Sequence, residues 1–220
     1  EIFGNYNFNI NEEHNFNVFA GFTIGKNTQN GLNGGNVDVP FNSWLYADLS
    51  SASGGVADQS TGSWQYVSRS VSLMSRVEYD FQEKYLASFT VRRDGSTNFG
   101  KNNKFAIFPS ASIGWVASNE EFFNSTAINF LKLRASYGSV GNDNASPQFG
   151  TISTFPKYTF GDDIVSGSTL LGIPNNNVSW ENQIQTNIGI DLSMYDSKLR
   201  FTADYFIKTV DDLLFSPTLS

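Results

Sequence analysis

Apolar and polar residues alternate along several stretches of the chain, and residues 85–118 show this pattern most clearly. Residues 85–92 carry Tyr, Ala, Phe and Val at every second position, and residues 110–115 carry Ala, Ile and Trp in the same way. A period of two places the apolar positions on one face of a sheet and the intervening positions on the other, and two such stretches joined by a polar loop predict a hairpin. A soluble sandwich would bury the apolar set in a core. The arms are also long enough to cross a bilayer, which takes roughly 9–11 tilted residues, and their aromatic ends suit a membrane girdle.

The same alternation recurs in six further stretches. These are residues 4–10, 16–25, 63–80, 131–138, 182–195 and 199–209. Together with the hairpin they predict an all-β fold of about eight antiparallel strands.

The connections between these predicted strands are alternately short and long. The compact ones are residues 11–15, 80–84, 119–130 and 195–198, and the long ones are residues 26–62, 94–104 and 141–181. Outer-membrane barrels have short periplasmic turns and long extracellular loops. We therefore interpret residues 1–220 as one partial transmembrane β-barrel domain, with Tyr85 and Trp115 in its periplasmic belt. The start of 119–130, Asn-Glu-Glu, is typical of a helix N-terminus.

Composition supports the barrel and narrows the function. Aromatic residues make up 15% of the chain and charged residues only 16%, against roughly 25% charged residues in soluble domains. Neutral polar residues replace the missing charges and suit a hydrated lumen. No run reaches the roughly 18 apolar residues of a membrane helix, whereas a barrel strand needs only half its residues to be apolar. A net charge of −7 argues against nucleic acid as a partner.

Four ordered groups of motifs resemble SusC/RagA-type TonB-dependent transporters. They are RRDGS at 92–96 with NFG at 98–100 and FPSASIGW at 108–115; LKLRASYG at 131–138 with GN at 141–142; VSWE at 178–181 leading into QTNIGID at 185–191; and ADYFIKT at 203–209 with DLL at 212–214. Residues 1–84 fit this family by pattern rather than by motif.

The resemblance implies a fold, an activity and partners. It implies a 22-stranded barrel in the outer membrane of a Bacteroidetes-type bacterium, with a plug domain inside it. Such transporters pair with a SusD-like surface lipoprotein and import glycans or peptides with energy supplied through TonB. The chain supplies about a third of the strands of such a barrel and contains neither plug nor TonB box, so we expect these parts to belong to a longer protein. Eight strands alone form an open arc whose edges need partners.

The function predicted from the sequence is that of a barrel wall in a nutrient importer. The alternative is an outer-membrane adhesin or structural barrel that transports nothing. An enzyme is disfavoured because the residues contain no acid/base or nucleophile set. The single histidine, His14, is predicted to be an exposed turn residue, and neither a metal site nor a cofactor is expected.

Six charged residues are predicted to face the lumen. They are Arg76, Glu78, Arg92, Lys132, Arg134 and Asp191. Ions on the lipid face would cost about 2–4 kcal/mol each near the midplane, which favours the inward orientation. Such residues either brace the wall and the plug as ion pairs or handle a polar solute.

Five aromatic residues in the long loops are candidates for contact with substrate or partner. They are Trp44, Tyr46, Phe155, Tyr158 and Phe160. Sugars stack on such rings, and a partner protein would bury them. The alternative is that they pack between loops or anchor to lipid headgroups.

Overall fold

The structure is a computed structural model. It describes residues 1–40, 43, 48–144, 152–153, 157–161, 163–166, 169–170 and 177–214. Within these residues the regular elements are β-strands and three short 3-10 helices, Leu49–Ser51, Val56–Asp58 and Ala117–Asn119. None of the helices in this part of the chain is long and apolar enough to cross a membrane.

One antiparallel sheet of eight strands dominates the structure, which confirms the predicted all-β class and strand number. In spatial order its strands are β1 (Ile2–Ile10), β2 (His14–Gly35), β3 (Ser60–Phe81), β4 (Tyr85–Ser96), β5 (Phe105–Val116), β6 (Ile128–Asn142), β11 (Glu181–Met194) and β12 (Leu199–Asp211). Each strand therefore lies beside its predecessor in this order, as in an up-and-down barrel. The sheet is not closed, because β1 and β12 form its two edges.

Four short strands lie in the connection between β6 and β11. They are β7 (Ile152–Ser153), which pairs with β10 (Thr169–Leu170), and β8 (Lys157–Phe160), which pairs with β9 (Asp163–Ser166). These two small ladders are separate from the main sheet.

The chain divides into two compact units, Glu1–Gly25 with Ser70–Ser220, and Lys26–Arg69. The second unit corrects the predicted loop 26–62, because β2 continues to Gly35 and β3 already begins at Ser60. Most side chains of residues 26–35 are exposed. A hydrogen-bonded strand with both faces exposed needs no apolar alternation, and for this reason its sequence looked like a loop.

Tight turns join the strands at one end of the sheet, here called the short-turn end. Asn11 and Glu12 have φ of 53° and 59°, and Gln82 and Glu83 have φ of 52° and 55°. Consecutive residues with positive φ give hairpin turns that match the twist of paired strands. The turns also bond to one another, since the backbone N–H of Gln82 donates to the carbonyl of Glu13 at 2.9 Å. The other end, from which the connections 36–59, 97–104 and 143–180 leave, is the long-connection end.

The strand register divides the sheet into two faces, as the alternation predicted. Directly paired residues share a face. One row crosses six strands as Tyr79, Ala87, Ile113, Ala135, Ile188 and Tyr205. The neighbouring row on the opposite face reads Glu78, Ser88, Ser112, Ser136 and Asn187. We call these the apolar face and the polar face.

The apolar face has no protein packed against its centre in the described part of the chain. Ile113 is 66% exposed and Ile188 is 61% exposed. The buried apolar residues that the structure describes are Phe99, Phe108, Val116 and Ala117, which lie at the two ends. A soluble sandwich would have buried the middle of this face, whereas here Ile113 and Ile188 are exposed.

Candidate functional site

The polar face carries charges that are held in ion pairs. All six charged residues singled out from the sequence lie on this face. Arg76 Nη1 lies 3.3 Å from Glu78 Oε1. Arg92 donates through Nε to both carboxylate oxygens of Asp94, each at 2.7 Å.

Arg134 forms the widest of these pairings because it bridges three strands. Its Nε lies 3.1 Å from Asp191 Oδ2 on β11, and its Nη2 lies 2.7 Å from Asp204 Oδ1 on β12. The path crosses Gly189, where a Cβ atom would lie 2.6 Å from Arg134 Cζ and 2.7 Å from Asp204 Oδ1. Glycine is therefore needed at this position for the arginine to reach the second carboxylate. Lys132 lies opposite Asp191 in the register, but forms no ion pair with a described residue.

Asp94 and Asp204 are partners that sequence reasoning missed. Asp204 lies on the polar face of β12, and the alternation alone could have placed it there. Its pairing with Arg134 depends on the register between strands that are 70 residues apart in sequence. The result is a polar face with interleaved charges of both signs among Ser, Thr and Asn, which suits contact with water and polar groups.

A buried cluster closes the long-connection end, and we call it the rim cluster. Phe99 is 1% exposed, and its ring centroid lies 4.9 Å from that of Trp180. The ring of Phe108 also packs against Trp180, edge to face, with the two ring centroids 5.6 Å apart. The Phe108 ring also occupies the space that a Cβ of Gly141 would need. This packing joins β5, the end of β6 and the segment before β11.

Glu181 connects the rim cluster to the end of β12. Its Oε1 accepts from Asn142 Nδ2 at 3.1 Å and from Gln183 Nε2 at 3.3 Å. Its Oε2 accepts from the backbone N–H of Leu214 at 3.2 Å. In addition, Asn98 Nδ2 donates to the carbonyl of Asp143 at 2.9 Å.

The rim cluster explains what the sequence motifs do. One or two residues of each of five motif segments meet here although the segments lie far apart in the chain: Phe99, Phe108, Gly141, Asn142, Trp180, Glu181 and Leu214. The sequence identified the motifs but not their convergence. An Asn-Phe-Gly in a polar loop and a Trp-Glu just before a strand were the available signals, since a large aromatic in such surroundings needs burial.

The five loop aromatics fall wholly or partly outside the part of the chain that the structure describes. Trp44, Tyr46 and Phe155 lie outside the described residues, and Tyr158 and Phe160 lie in β8 with their side chains outside them.

A second polar cluster lies at the short-turn end on the apolar face, and we call it the girdle cluster. Glu120 Oε1 accepts from the Tyr85 hydroxyl at 2.6 Å and from Trp115 Nε1 at 3.0 Å. Its Oε2 lies 3.4 Å from Lys84 Nζ. Aromatic rings with hydrogen-bonded polar tips are typical of a membrane interface.

A short 3-10 helix, not the α-helix that its sequence suggested, positions Glu120. Ala117–Asn119 forms this helix, and the backbone N–H of Glu120 donates to the Ala117 carbonyl at 3.2 Å. Asn119 Nδ2 donates to the carbonyl of Glu83 at 2.9 Å, which fixes the turn before β4. The hydrogen bond from Tyr85, then those from Trp115 and Lys84, lower the pKa of Glu120 below its ordinary value.

Acidification is expected to weaken the girdle cluster. Because folding lowers the pKa of Glu120, its stabilisation is complete above the ordinary pKa of 4.5 and is lost as the pH falls through the folded pKa. We expect Glu120→Gln to lower the Tm of the full-length protein at neutral pH, with the gap from the wild type closing in acid. Thermal unfolding at a series of pH values measures this. Exposed Glu121→Gln is the control, and a gap that is independent of pH would contradict the assignment.

His14 corrects a prediction, because it is not an exposed turn residue. It begins β2 and is half buried, with Nδ1 2.8 Å from the Tyr79 hydroxyl and its ring centroid 4.7 Å from that of Phe81. It therefore joins two hairpins on the apolar face at the short-turn end.

The family model described as TonB dependent receptor-like, beta-barrel matches residues 2–220. The chain belongs to this family. Its similar proteins are named as TonB-dependent receptors and as a peptide transporter.

Two curated relatives illustrate the family. TonB-dependent receptor P3 of Formosa agariphila is 36% identical over 205 residues, which are 92% of this chain and 20% of that receptor. TonB-dependent receptor SusC of Bacteroides thetaiotaomicron is 32% identical over 151 residues, which are 66% of this chain and 15% of SusC. The chain thus spans about a fifth or less of the length of these relatives.

Solved structures share the fold of this receptor barrel. The RagAB peptide transporter superimposes with a TM-score of 0.81 at 24% identity, covering 99% of this chain and 24% of that chain. The RagAB peptide importer in its closed-closed state gives a TM-score of 0.77 at 25% identity, covering 96% of this chain and 23% of that chain.

Proposed function

We propose that the chain forms part of the wall of a TonB-dependent importer in the bacterial outer membrane, which takes up glycans or peptides together with a SusD-like surface lipoprotein. The observation that carries this proposal is the pair of faces: an exposed apolar face behind a polar face with paired charges. The apolar face contacts lipid, and the polar face lines the lumen.

The physical case for the membrane rests on what covers each face. Large apolar side chains such as Ile113 and Ile188 remain exposed in mid-strand. Exposing this apolar surface to water is unfavourable, whereas exposing it to lipid is not. The backbone of the inner strands is satisfied by paired neighbours, which a strand in lipid requires. The ions of Arg134, Asp191 and Asp204 all lie on the opposite face.

The physical case for transport rests on the polar face and the long-connection end. Ion pairs such as Arg92–Asp94 keep this face charged but locally balanced, which allows a plug or a polar solute to lie against it without a large single-sign field. The long connections leave from one end only, and the rim cluster holds the bases of two of them, 97–104 and 143–180. They are therefore suited to carry a surface partner. SusC and the RagAB peptide importer are the relatives that support this assignment.

The test uses the full-length protein in its own bacterium. A tagged protein purified from the outer membrane is expected to bring down a surface lipoprotein. A deletion strain is expected to lose uptake of either labelled oligosaccharides or labelled peptides, and a strain without TonB is expected to show the same loss. The adhesin alternative gives surface attachment with unchanged uptake of both solutes, and that result would refute the proposal.

A further inference from the structure

The apolar face contains a groove that runs across four strands. Ala87, Ile113, Ala135 and Ile188 line it as consecutive partners in the strand register. The groove exists because two members of this row are alanines. Its volume is about 510 Å³, and its lining is apolar apart from two tyrosines, Trp115 and Arg134.

Bulky residues border the groove on both sides. Towards the short-turn end the next row contains Tyr85, Trp115 and Leu133, which also line the groove. Towards the long-connection end the row contains Phe89 and Tyr137, which are exposed on the same face. A long, thin apolar group that lies in this depression would make more van der Waals contacts with the wall than it could on a flat surface.

The girdle cluster lies at one border of the groove and is continuous with it. The rings of Tyr85 and Trp115 line the groove, while their polar hydrogens both point to Glu120. The Lys84 and Glu120 side chains are still 20% and 12% exposed. The apolar groove thus ends at a pair of opposite charges that are partly exposed to a ligand.

We propose that this groove is a binding site for a zwitterionic glycerophospholipid of the phosphatidylethanolamine type. One acyl chain lies over Ala87 and Ala135, and the headgroup lies on the girdle cluster. The Lys84 ammonium group donates to the lipid phosphate, and the Glu120 carboxylate accepts from the lipid ammonium group. The inference rests on the membrane position proposed above, and adds a specific lipid to it.

Charge complementarity favours this headgroup over an anionic one. Lys84 and Glu120 are 3.4 Å apart and together have no net charge, so a headgroup with both signs can satisfy each partner. An anionic phosphatidylglycerol would gain the lysine contact but bring its charge close to the carboxylate. The low pKa of Glu120 keeps that carboxylate ionised at neutral pH. The wall is charged at the girdle cluster and apolar along the groove. A phospholipid likewise has a charged headgroup at one end and apolar acyl chains beyond it.

The experiment measures lipid bound to the full-length protein. The protein is purified from the outer membrane, stripped with detergent, and titrated with phosphatidylethanolamine or phosphatidylglycerol while native mass spectrometry counts bound lipids. Ala135→Phe fills the groove, and Ala203→Phe adds the same ring to the apolar face of β12 outside it. Lys84→Gln removes the phosphate contact, and Lys198→Gln removes an exposed lysine from another turn at the same end.

We expect Ala135→Phe to abolish the tightly bound phosphatidylethanolamine and Ala203→Phe to retain it. Lys84→Gln is expected to weaken phosphatidylethanolamine binding roughly tenfold, as loss of one charge-assisted hydrogen bond would, and Lys198→Gln to leave it unchanged. Because Lys84→Gln leaves the groove intact, the proposal is still tested if the phenylalanine variant fails to insert.

Three results would overturn the inference. Equal lipid binding in Ala135→Phe and Ala203→Phe would show that the groove is not the lipid-binding site. Stronger binding of phosphatidylglycerol than phosphatidylethanolamine would contradict the headgroup assignment. Loss of a dimer in Ala135→Phe with unchanged lipid would make a second copy the occupant. If these results appear in a protein that reaches the outer membrane and transports, only the lipid site fails. A wild-type protein absent from that membrane would refute the proposed function as well.

Discussion

Replacing Ile190 with arginine is expected to prevent the full-length barrel from inserting into the outer membrane. Ile190 lies mid-strand on the apolar face, opposite Leu133 on one side and Ala203 on the other. An arginine there would face lipid among apolar neighbours, at a cost of about 2–4 kcal/mol near the midplane. That penalty is a large part of the net stability of a typical fold.

Gln185→Arg is the matched control for this prediction. Gln185 is on the same strand but on the polar face, where it is exposed and donates to Asn187 Oδ1 at 2.9 Å. A guanidinium group there stays hydrated, so this variant is expected to insert normally. The outer-membrane fraction and the heat-modifiable band on semi-native gels measure both variants. Equal insertion of the two proteins would show that the faces are wrongly assigned.

The faces of the sheet were predictable because lipid and water demand opposite side chains at successive positions. Alternation in strands such as β4 and β11 was sufficient to assign each residue to a face. The same signal disappears where both faces are exposed, and the extensions of β2 to Gly35 and of β3 from Ser60 were missed for that reason. A pattern based on hydrophobicity detects a buried or lipid-covered face, not a hydrogen-bonded ladder as such.

The candidate sites were less predictable because they depend on register and on distant contacts. The sequence placed Arg134 on the polar face, but its pairing with Asp204 past Gly189 requires knowledge of strands that are far apart in the chain. The burial of His14 was not predictable for the same reason, since its partner Tyr79 is 65 residues away. The girdle positions of Tyr85 and Trp115 followed from their location at strand ends, whereas Glu120 as their common acceptor did not.

Phe99→Ala is expected to open the rim cluster while leaving the rest of the wall in place. Phe99 is the largest side chain with less than 2% exposure in the described residues, and it packs on Trp180, which in turn contacts Phe108. Truncating a buried phenylalanine costs about 3–5 kcal/mol through lost contacts and the cavity that remains. The strand ladder does not depend on this ring, so the loss falls on the connection 97–104 and on the segment before β11.

Hydrogen exchange of the full-length protein can measure this local effect, because amide protection reports the free energy of local opening. We expect amides of residues 97–104 and 177–182 to exchange roughly a hundred to a few thousand times faster in Phe99→Ala, given that each 1.4 kcal/mol is a factor of ten. The control is Phe105→Ala, at the other end of the same connection, where the ring is 53% exposed and stacks under Arg93. That change should affect exchange little. If both variants exchange like the wild type, the rim cluster does not stabilise the connection 97–104 or the segment before β11.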